Sequence, residues 1–341
     1  MAGAIPIGLD IGSSTIRAVE VRRTKEGYVL AAFGQITLPP GTVAGGVIQD
    51  PVAVTGAIKQ LWTTHKFGTK QVVIGVTNPQ LVVREMSVAN LPAKELRQAL
   101  PFQVKDALPL AVEKAVLDFY PLEEPGSNPT VRGLLIATPK DAVLAAVDAA
   151  QKAGLTVKGV DLASFALLRA ASRLDTQVEA IVDIGAEVTS VVVHADGEPL
   201  IVRTVPRGGH EITAAMATRL GISPPEAEMI KCRFGLHGDG NPVTVEAATE
   251  AVRPIASELR SSFTYLASGE RQKQVTRLAL CGGSALMPGL AEHLQQQLGI
   301  TVLYADGASR LRDTRKGREN GFDSFVPSAA VSIGLTLGAA A

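Results

Sequence analysis

Gly8-Leu9-Asp10-Ile11-Gly12-Ser13-Ser14-Thr15-Ile16-Arg17-Ala18-Val19-Glu20-Val21 stands near the start of the 341-residue chain. About 170 residues later comes Val182-Asp183-Ile184-Gly185-Ala186-Glu187-Val188-Thr189-Ser190-Val191-Val192-Val193. Each stretch is an apolar strand, an Asp, a glycine two positions on, a small polar turn and a second strand. One Asp-Xaa-Gly turn between two core strands is ordinary. Two, in corresponding positions of two halves, form an internal repeat and point to a duplicated site.

The spacing suits a polyphosphate. An Asp at a strand end, Asp10 or Asp183, places a carboxylate where Mg²⁺ can be held beside phosphates, usually through its waters. Glycine two residues later, Gly12 or Gly185, lets the backbone approach phosphate oxygens, and the turn's N–H groups with the hydroxyls of Ser13, Ser14 and Thr15 can donate to them. Arg17, on the strand leaving the first turn, is placed to add a charge-assisted contact. Two such hairpins face to face would clamp one triphosphate from both sides.

A third element fits the same cleft: Leu278-Ala279-Leu280-Cys281-Gly282-Gly283-Ser284-Ala285-Leu286-Met287. A strand here ends in two glycines before a helix, so bare backbone can pack against an adenine or ribose. No GxxxxGK[ST] loop occurs in the chain, which excludes the Walker A solution to the same problem.

Composition bounds the rest. With 33 Lys plus Arg against 33 Asp plus Glu, no net field draws the chain to nucleic acid or an anionic membrane, so phosphate must be held by local geometry. The two cysteines, Cys232 and Cys281, sit in no ligand-like spacing, which argues against a disulfide framework or zinc site and for a reducing cytoplasm. The start has no signal-peptide pattern. Val326 to Ala341 is the most apolar long stretch, but it is shorter than the roughly 20 residues of a spanning helix and contains Gly334 and Gly338, so a buried helix is expected. No basic amphipathic helix stands at either end.

Along the chain, strand-like runs at Ile5 to Asp10, Ile16 to Arg22 and Tyr28 to Thr37 predict an antiparallel meander. A helix follows over Val52 to His65 and a buried strand over Gln71 to Val76. From about Leu81 to Ala150 the pattern changes, and this stretch reads as an insertion. Leu96, Leu100, Val104 and Leu108 recur at four-residue spacing on one helical face, with Pro101 expected to kink that helix or start a new one. Glu123 to Thr130 is a loop by composition. Gly133 to Ala137 reads as a strand, and Asp141 to Ala153 as an alanine-rich helix. Asp161 to Leu174 is expected as a helix before the second meander. Gly208-Gly209 precede a helix at Glu211 to Leu220, Ser223-Pro224 start another, and Val245 to Ala267 reads as a long one. Asp306 to Ser324 is expected as a solvated polar loop.

The Asp-Gly hairpins resemble the phosphate loops of the actin, heat-shock chaperone and sugar kinase superfamily, and the segment at Gly282-Gly283 resembles its adenosine motif. Within it, the chain is most similar to the PilM family of type IV pilus assembly, itself related to FtsA. Asp10 to Ser14 with Ala18-Val19-Glu20, and Asp183 to Glu187 with Thr189, are similar to that family. So are Glu95-Leu96, Ala99-Leu100, Phe102, Leu108-Pro109 and Leu117-Asp118-Phe119 of the insertion, Phe165-Ala166 with Arg169-Ala170, Gly208-Gly209 with Ile212-Thr213, and Ala227-Glu228 with Lys231. Gln103, Lys105 and Ala107 depart from it, where relatives tend to carry acidic or aromatic residues.

The resemblance implies an α/β, actin-like fold of two ribonuclease-H-like halves. The first, 1–180, would comprise a core at about 1–82 and 151–180, completed by a C-terminal helix at about 325–341, and an insertion at about 83–150. The second, 181–324, would carry a small helical subdomain at about 221–265. ATP or ADP with Mg²⁺ is the implied cofactor. Asp10 and Asp183 would organise the metal, and Ser13, Ser14, Thr15 and Arg17 would meet phosphates. Gly12, Gly185, Glu187 and Thr189 belong to the same loops, Gly208 and Gly209 would border the cleft, Glu228 and Lys231 would approach ribose or adenine, and Gly282, Gly283, Ser284 and Met287 would line the nucleoside. An i,i+3 surface pair is the plainer reading of Glu228 and Lys231.

The implied function is a cytoplasmic adaptor, drawn to the inner face of the membrane only through a partner. That partner is the N-terminal tail of a PilN-like inner-membrane protein, held in a groove between the first core and the insertion; other pilus platform or motor proteins are further partners. Leu96, Leu100, Phe102 and Val104 are candidates for the groove, against the alternative that this face packs on its own sheet. A sugar-kinase-like phosphotransferase needs a carboxylate base over the γ-phosphate, and neither Asp118 nor Asp161 stands out as one. An FtsA-like membrane-associated polymer would want a C-terminal amphipathic helix. No group that positions water is evident, so turnover of ATP is expected to be slow or negligible.

Overall fold

The structure, a computed structural model, describes residues 4–124, 126, 128–175, 177–237, 241–268, 272–312 and 321–340. The opening meander forms as β1 (Ile7–Ile11), β2 (Thr15–Thr24) and β3 (Gly27–Thr37), all antiparallel. A short hairpin of β4 (Val43–Ala44) and β5 (Val47–Ile48) turns on Gly45 and Gly46, whose φ of +54 and +76 favour glycine. α1 (Pro51–Thr64) starts where the Asp50 carboxylate accepts from the N–H groups of Val52 and Ala53. β6 (Gln71–Val76) then runs parallel to β1.

Next come β7 (Val82–Ala89), α2 (Ala93–Val104), β8 (Ala115–Pro121), β9 (Thr130–Pro139), α3 (Lys140–Lys152), β10 (Thr156–Leu162) and α4 (Ala163–Ala171). The second half repeats the first: β11 (Val178–Ile184), β12 (Thr189–Ala195) and β13 (Glu198–Val205) form a meander. α5 (Gly209–Leu220), α6 (Pro224–Arg233) and α7 (Pro242–Ser268) follow, then β14 (Arg277–Cys281), α8 (Leu290–Leu298), β15 (Thr301–Tyr304), the short β16 (Leu311–Arg312) and α9 (Phe322–Ala340).

The sheet orders expose the repeat. One is β10-β6-β1-β2-β3-β16 and the other β13-β12-β11-β14-β15. In each, the first meander strand lies between its hairpin partner and a parallel strand, so Asp10 sits beside Arg17 and Gly75, and Asp183 beside Ser190 and Cys281. Buried at the opposite end of the second sheet, Glu179 accepts from Arg277 at 2.6 Å and stands 3.1 Å from His194.

Three expectations change. Asp161 and Leu162 end a strand, not a helix, because Thr156 to Leu162 pairs with β6, and the helix covers only Ala163–Ala171. α2 continues through Pro101, so the proline neither ends that helix nor starts a new one. The stretch expected as the insertion divides. β7, β9 and β8 form a separate three-stranded sheet, but Ala146, Ala149 and Ala150 of α3 are buried with Ile7, Leu9 and Ile74, so this helix packs on the first core. Pro125 of the expected loop and residues 313–320 of the polar run lie outside the described residues.

α9 is long and apolar enough to cross a membrane by length and composition, yet it is the buried spine of the fold. Small residues set its approach. A Cβ on Gly8 would lie 2.0 Å from the carbonyl oxygen of Ser332, and one on Gly334 1.8 Å from that of Ala166. Backbone cannot yield to such contacts without moving the helix. Gly334→Val is therefore expected to cost about 3 kcal/mol or more in urea unfolding, whereas Gly56→Ala, with open space around its Cβ position and a mid-helix site on α1, is expected to stabilise slightly.

Candidate functional site

The two Asp-Gly hairpins open onto one cleft of about 890 Å³ between the halves. Asp10, Gly12, Ser13, Ser14, Thr15 and Arg17 line one wall; Asp183, Gly185 and Glu187 line the other, and Glu228, Lys231, Gly282, Gly283, Ser284 and Met287 complete the lining. The glycines are needed for close approach. A Cβ on Gly282, whose φ is +96, would fall 2.1 Å from Asp183 Oδ1, and one on Gly208 2.7 Å from the Ala186 carbonyl. The Asp183 carboxylate thus rests on the bare backbone of the third glycine element.

The electrostatics of the cleft suit a cation. Burial pushes the carboxyl of Asp183 up to about 7, the charge of Asp10 adds to this, and Arg17 opposes it. Burial also raises Asp10, again against Arg17, whose guanidinium NH1 stands 3.9 Å from Asp10 Oδ2. Two buried carboxylates that cannot both ionise freely are a donor set that fits a hard divalent ion such as Mg²⁺. Arg17 Nε is buried without a hydrogen-bond partner, a donor left over for an anion.

Other expected residues act differently. Thr189 is fully buried and its hydroxyl donates to the carbonyl of Arg207 at 2.8 Å, so it braces the loop behind the cleft and cannot touch a ligand. Gly208 and Gly209 also lie behind the wall, where the N–H of Gly209 donates to the Gly185 carbonyl at 2.9 Å. Ser284 Oγ donates to that same carbonyl at 2.9 Å, tying the third glycine element to the second hairpin.

Glu228 and Lys231 are not a surface pair. Lys231 is 4% exposed and directs its three N–H bonds to the Gly209 carbonyl, Thr213 Oγ1 and Glu228 Oε2. Against burial, which pushes it up, hydrogen bonds from Lys231 and Thr213 hold Glu228 below its ordinary range. A half-exposed, ionised carboxylate therefore faces the cleft, suited to accept from sugar hydroxyls.

A second cavity, a groove of about 1160 Å³, runs between the first core and the inserted sheet. β8 and β10, each an edge strand of its sheet, border it. Val116, Val160, Phe165 and Leu168 make its walls apolar, and Asp161 pairs with Arg169 inside it. Of the residues expected to form a partner groove, Leu100 and Val104 are instead buried with Val88, Val131 and Leu135, Leu96 packs beside them, and Phe102 projects 86% exposed into solvent. The apolar stripe of α2 covers the inserted sheet, so none of the four lines the groove. Phe165 and Arg169, in a stretch that resembles the family, do line this groove, whereas the helical periodicity of α2 does not point to it.

The family described as type IV pilus assembly protein PilM matches residues 8–340. The chain belongs to the PilM family. Among solved structures, a PilM-PilN type IV pilus biogenesis complex superposes with a TM-score of 0.87 at 27% identity, covering 99% of each chain. MreB5 of Spiroplasma citri bound to AMPPNP gives 0.54 at 14% identity over 94% of this chain and 98% of that one. Among curated relatives, the cell division protein FtsA of Bacillus subtilis (strain 168) is 23% identical over 88% of this chain and 78% of its own length. The actin-like fold expected from the paired hairpins is therefore the fold of this PilM-family chain.

The raised Asp183 makes a signed prediction. Its folded value near 7 exceeds the ordinary 3.8, so the stability it contributes is full below about pH 4 and is lost as pH rises through about 7. Relative to Asp183→Asn, nucleotide-free wild type should lose Tm between pH 5 and pH 8. Because the proton and a cation compete for this carboxylate, Mg²⁺-dependent nucleotide affinity should be about tenfold weaker at pH 6 than at pH 8. A pH-independent difference between wild type and variant would remove the assignment.

Proposed function

We propose that this PilM-family chain is a cytoplasmic adaptor of type IV pilus assembly that binds Mg-ATP in the cleft and the N-terminal tail of a PilN-type inner-membrane protein in the groove. The groove carries this reading. Two free strand edges and apolar walls offer an extended peptide both main-chain partners and side-chain pockets, and the similar solved structure is of a PilM-PilN complex. Membrane recruitment would come through that partner.

The cleft supports the nucleotide half of the proposal. Asp10 and Asp183 would hold Mg²⁺ through its waters, neutralising the triphosphate, while Ser13, Ser14, Thr15 and Arg17 meet the phosphates and Glu228 the ribose. Among the described carboxylates of the cleft, two are held by the protein and two are taken by the cation in this reading. Asp10 and Asp183 suit the cation, Glu187 accepts from Gly45, and Glu228 accepts from Lys231 and Thr213. Slow turnover follows, since hydrolysis needs a free group to orient water.

Two sets of variants test the halves separately. Val116→Glu and Val160→Glu, at groove positions 39% and 38% exposed, should abolish capture of a synthetic PilN-type tail while leaving nucleotide binding intact. Asp10→Ala and Asp183→Ala should weaken Mg-ATP in calorimetry by about tenfold or more without loss of the peptide. Peptide capture that survives both groove variants would sink the adaptor assignment, and rapid ATP hydrolysis by the isolated protein would count against the slow-turnover reading.

A further inference from the structure

The groove crosses the width of the first sheet. Val160, on the edge strand β10, and Arg312, on the opposite edge strand β16, both line it. Six strands at their usual spacing span about 24 Å, the reach of about seven extended residues. Where Val116, Val160 and Phe165 make one end apolar, the β16 end is rimmed by cations. Arg22, Arg23 and Lys25 of the β2–β3 turn, and Arg310 and Arg312 at β16, are all exposed. Strand pairing sets Arg22 opposite Val29 and Val29 opposite Arg312, so the two arginines share one row of the sheet.

These cations are held in place and little neutralised. Thr24 Oγ1 donates to the Gly27 carbonyl at 2.8 Å and accepts from the N–H of Glu26 at 3.2 Å, which fixes the turn. The Tyr28 hydroxyl donates to the Ala340 carbonyl at 3.1 Å, and the carbonyl and hydroxyl of Ser172 brace Arg310 at 3.2 and 3.0 Å. In the turn and the connection leading into β16, the exposed carboxylates are Glu26 and Asp306. Arg22 stands 3.9 Å from the buried Glu20, but among the described residues Arg23, Lys25 and Arg312 form no ion pair. Leu174, two residues past Ser172, lines the same groove and is 60% exposed.

We propose that this rim is a docking surface for anionic lipid headgroups, through which the chain rests directly on a membrane with the β2–β3 turn towards the bilayer. The balanced charge of the whole chain does not oppose this. At physiological salt a charge is felt over about 8 Å, so headgroups meet the rim and not the rest of the surface. Each Lys or Arg beside an anionic leaflet strengthens binding about fivefold, which gives five of them a reversible, salt-sensitive hold. Nucleic acid would feel the same charges, but Tyr28 is half-buried under Arg23, whose guanidinium lies 6.0 Å from the ring centroid, and is not free to stack on a base. An exposed leucine beside cations suits the boundary of headgroup and acyl chain instead. Lipid contact needs no tail in the groove. On the peptide reading above, a bound tail would tether the rim near the bilayer, and the two attachments would reinforce each other.

The test is flotation of the full chain, with neither nucleotide nor tail, on vesicles of phosphatidylglycerol and on vesicles of phosphatidylcholine. Wild type should float with the anionic vesicles at low salt, be released by high salt, and stay behind with the neutral ones. The triple variant Arg22→Gln, Arg23→Gln, Lys25→Gln changes exposed positions outside the groove lining. It should lose about tenfold or more of vesicle affinity while capturing a soluble synthetic PilN-type tail as wild type does. The triple variant Lys94→Gln, Arg97→Gln, Lys105→Gln removes the same charge from exposed positions on and just after α2, and should float like wild type. Equal flotation of wild type and the β2–β3 variant, an equal loss in the α2 variant, or binding of a DNA duplex as tight as that of the anionic vesicles overturns the proposal. Failure of wild type to capture the tail removes the groove reading alone, and flotation still decides the rim.

Discussion

Two carboxylates that repel each other across a shared cleft are the constraint around which the molecule is arranged. Asp10 and Asp183 each close the end of a strand held between an antiparallel and a parallel neighbour. Their burial raises both, and Arg17 only partly offsets it. Such a pair is stable only if the surrounding backbone holds it firmly or a cation relieves it. The contacts nearby do the first: Gly282 lies under Asp183, Ser284 and Gly209 bind the Gly185 carbonyl, and Lys231 holds Gly209 from behind. The donor set suits the second.

The last helix touches both halves: Ala330, Val331 and Leu335 are buried with Ile181, Ala279 and Cys281 of the second. α9 lies against β1 and α4, and its contacts at Gly8 and Gly334 leave no room for a side chain. Its apolar composition, which by itself would pass for a membrane span, belongs to a core. Apolar surface of this extent cannot stay in water, and here the first core supplies the burial.

The inserted sheet adds a second cavity beside the first core. Its own core is closed by α2, through Leu100 and Val104, and its edge strand β8 faces the first core's edge strand β10. Unpaired strand edges are a hazard unless a partner or a cover meets them. Set opposite each other over an apolar floor, they border a groove whose form would admit an extended chain.

Much of this was legible in the residues. The repeated hairpins specified both meanders and the two aspartates that meet at one cleft, because an Asp, a glycine two positions later and a small turn are a local pattern with a local physical cause. The helical stripe at Leu96, Leu100 and Val104 was equally plain, but a stripe states only that a face is buried and not what buries it. The packing of α3 on the first core, the strand at Thr156–Leu162, the internal bonds of Thr189 and Lys231, and the reach of Glu187 to Gly45 depend on partners tens to hundreds of residues away. Sequence by itself determined the elements and the chemistry they carry, since these follow from neighbours along the chain. Tertiary structure alone decided which polar groups are satisfied within the protein and which remain for a ligand, because hydrogen-bond partners and burial are properties of packing.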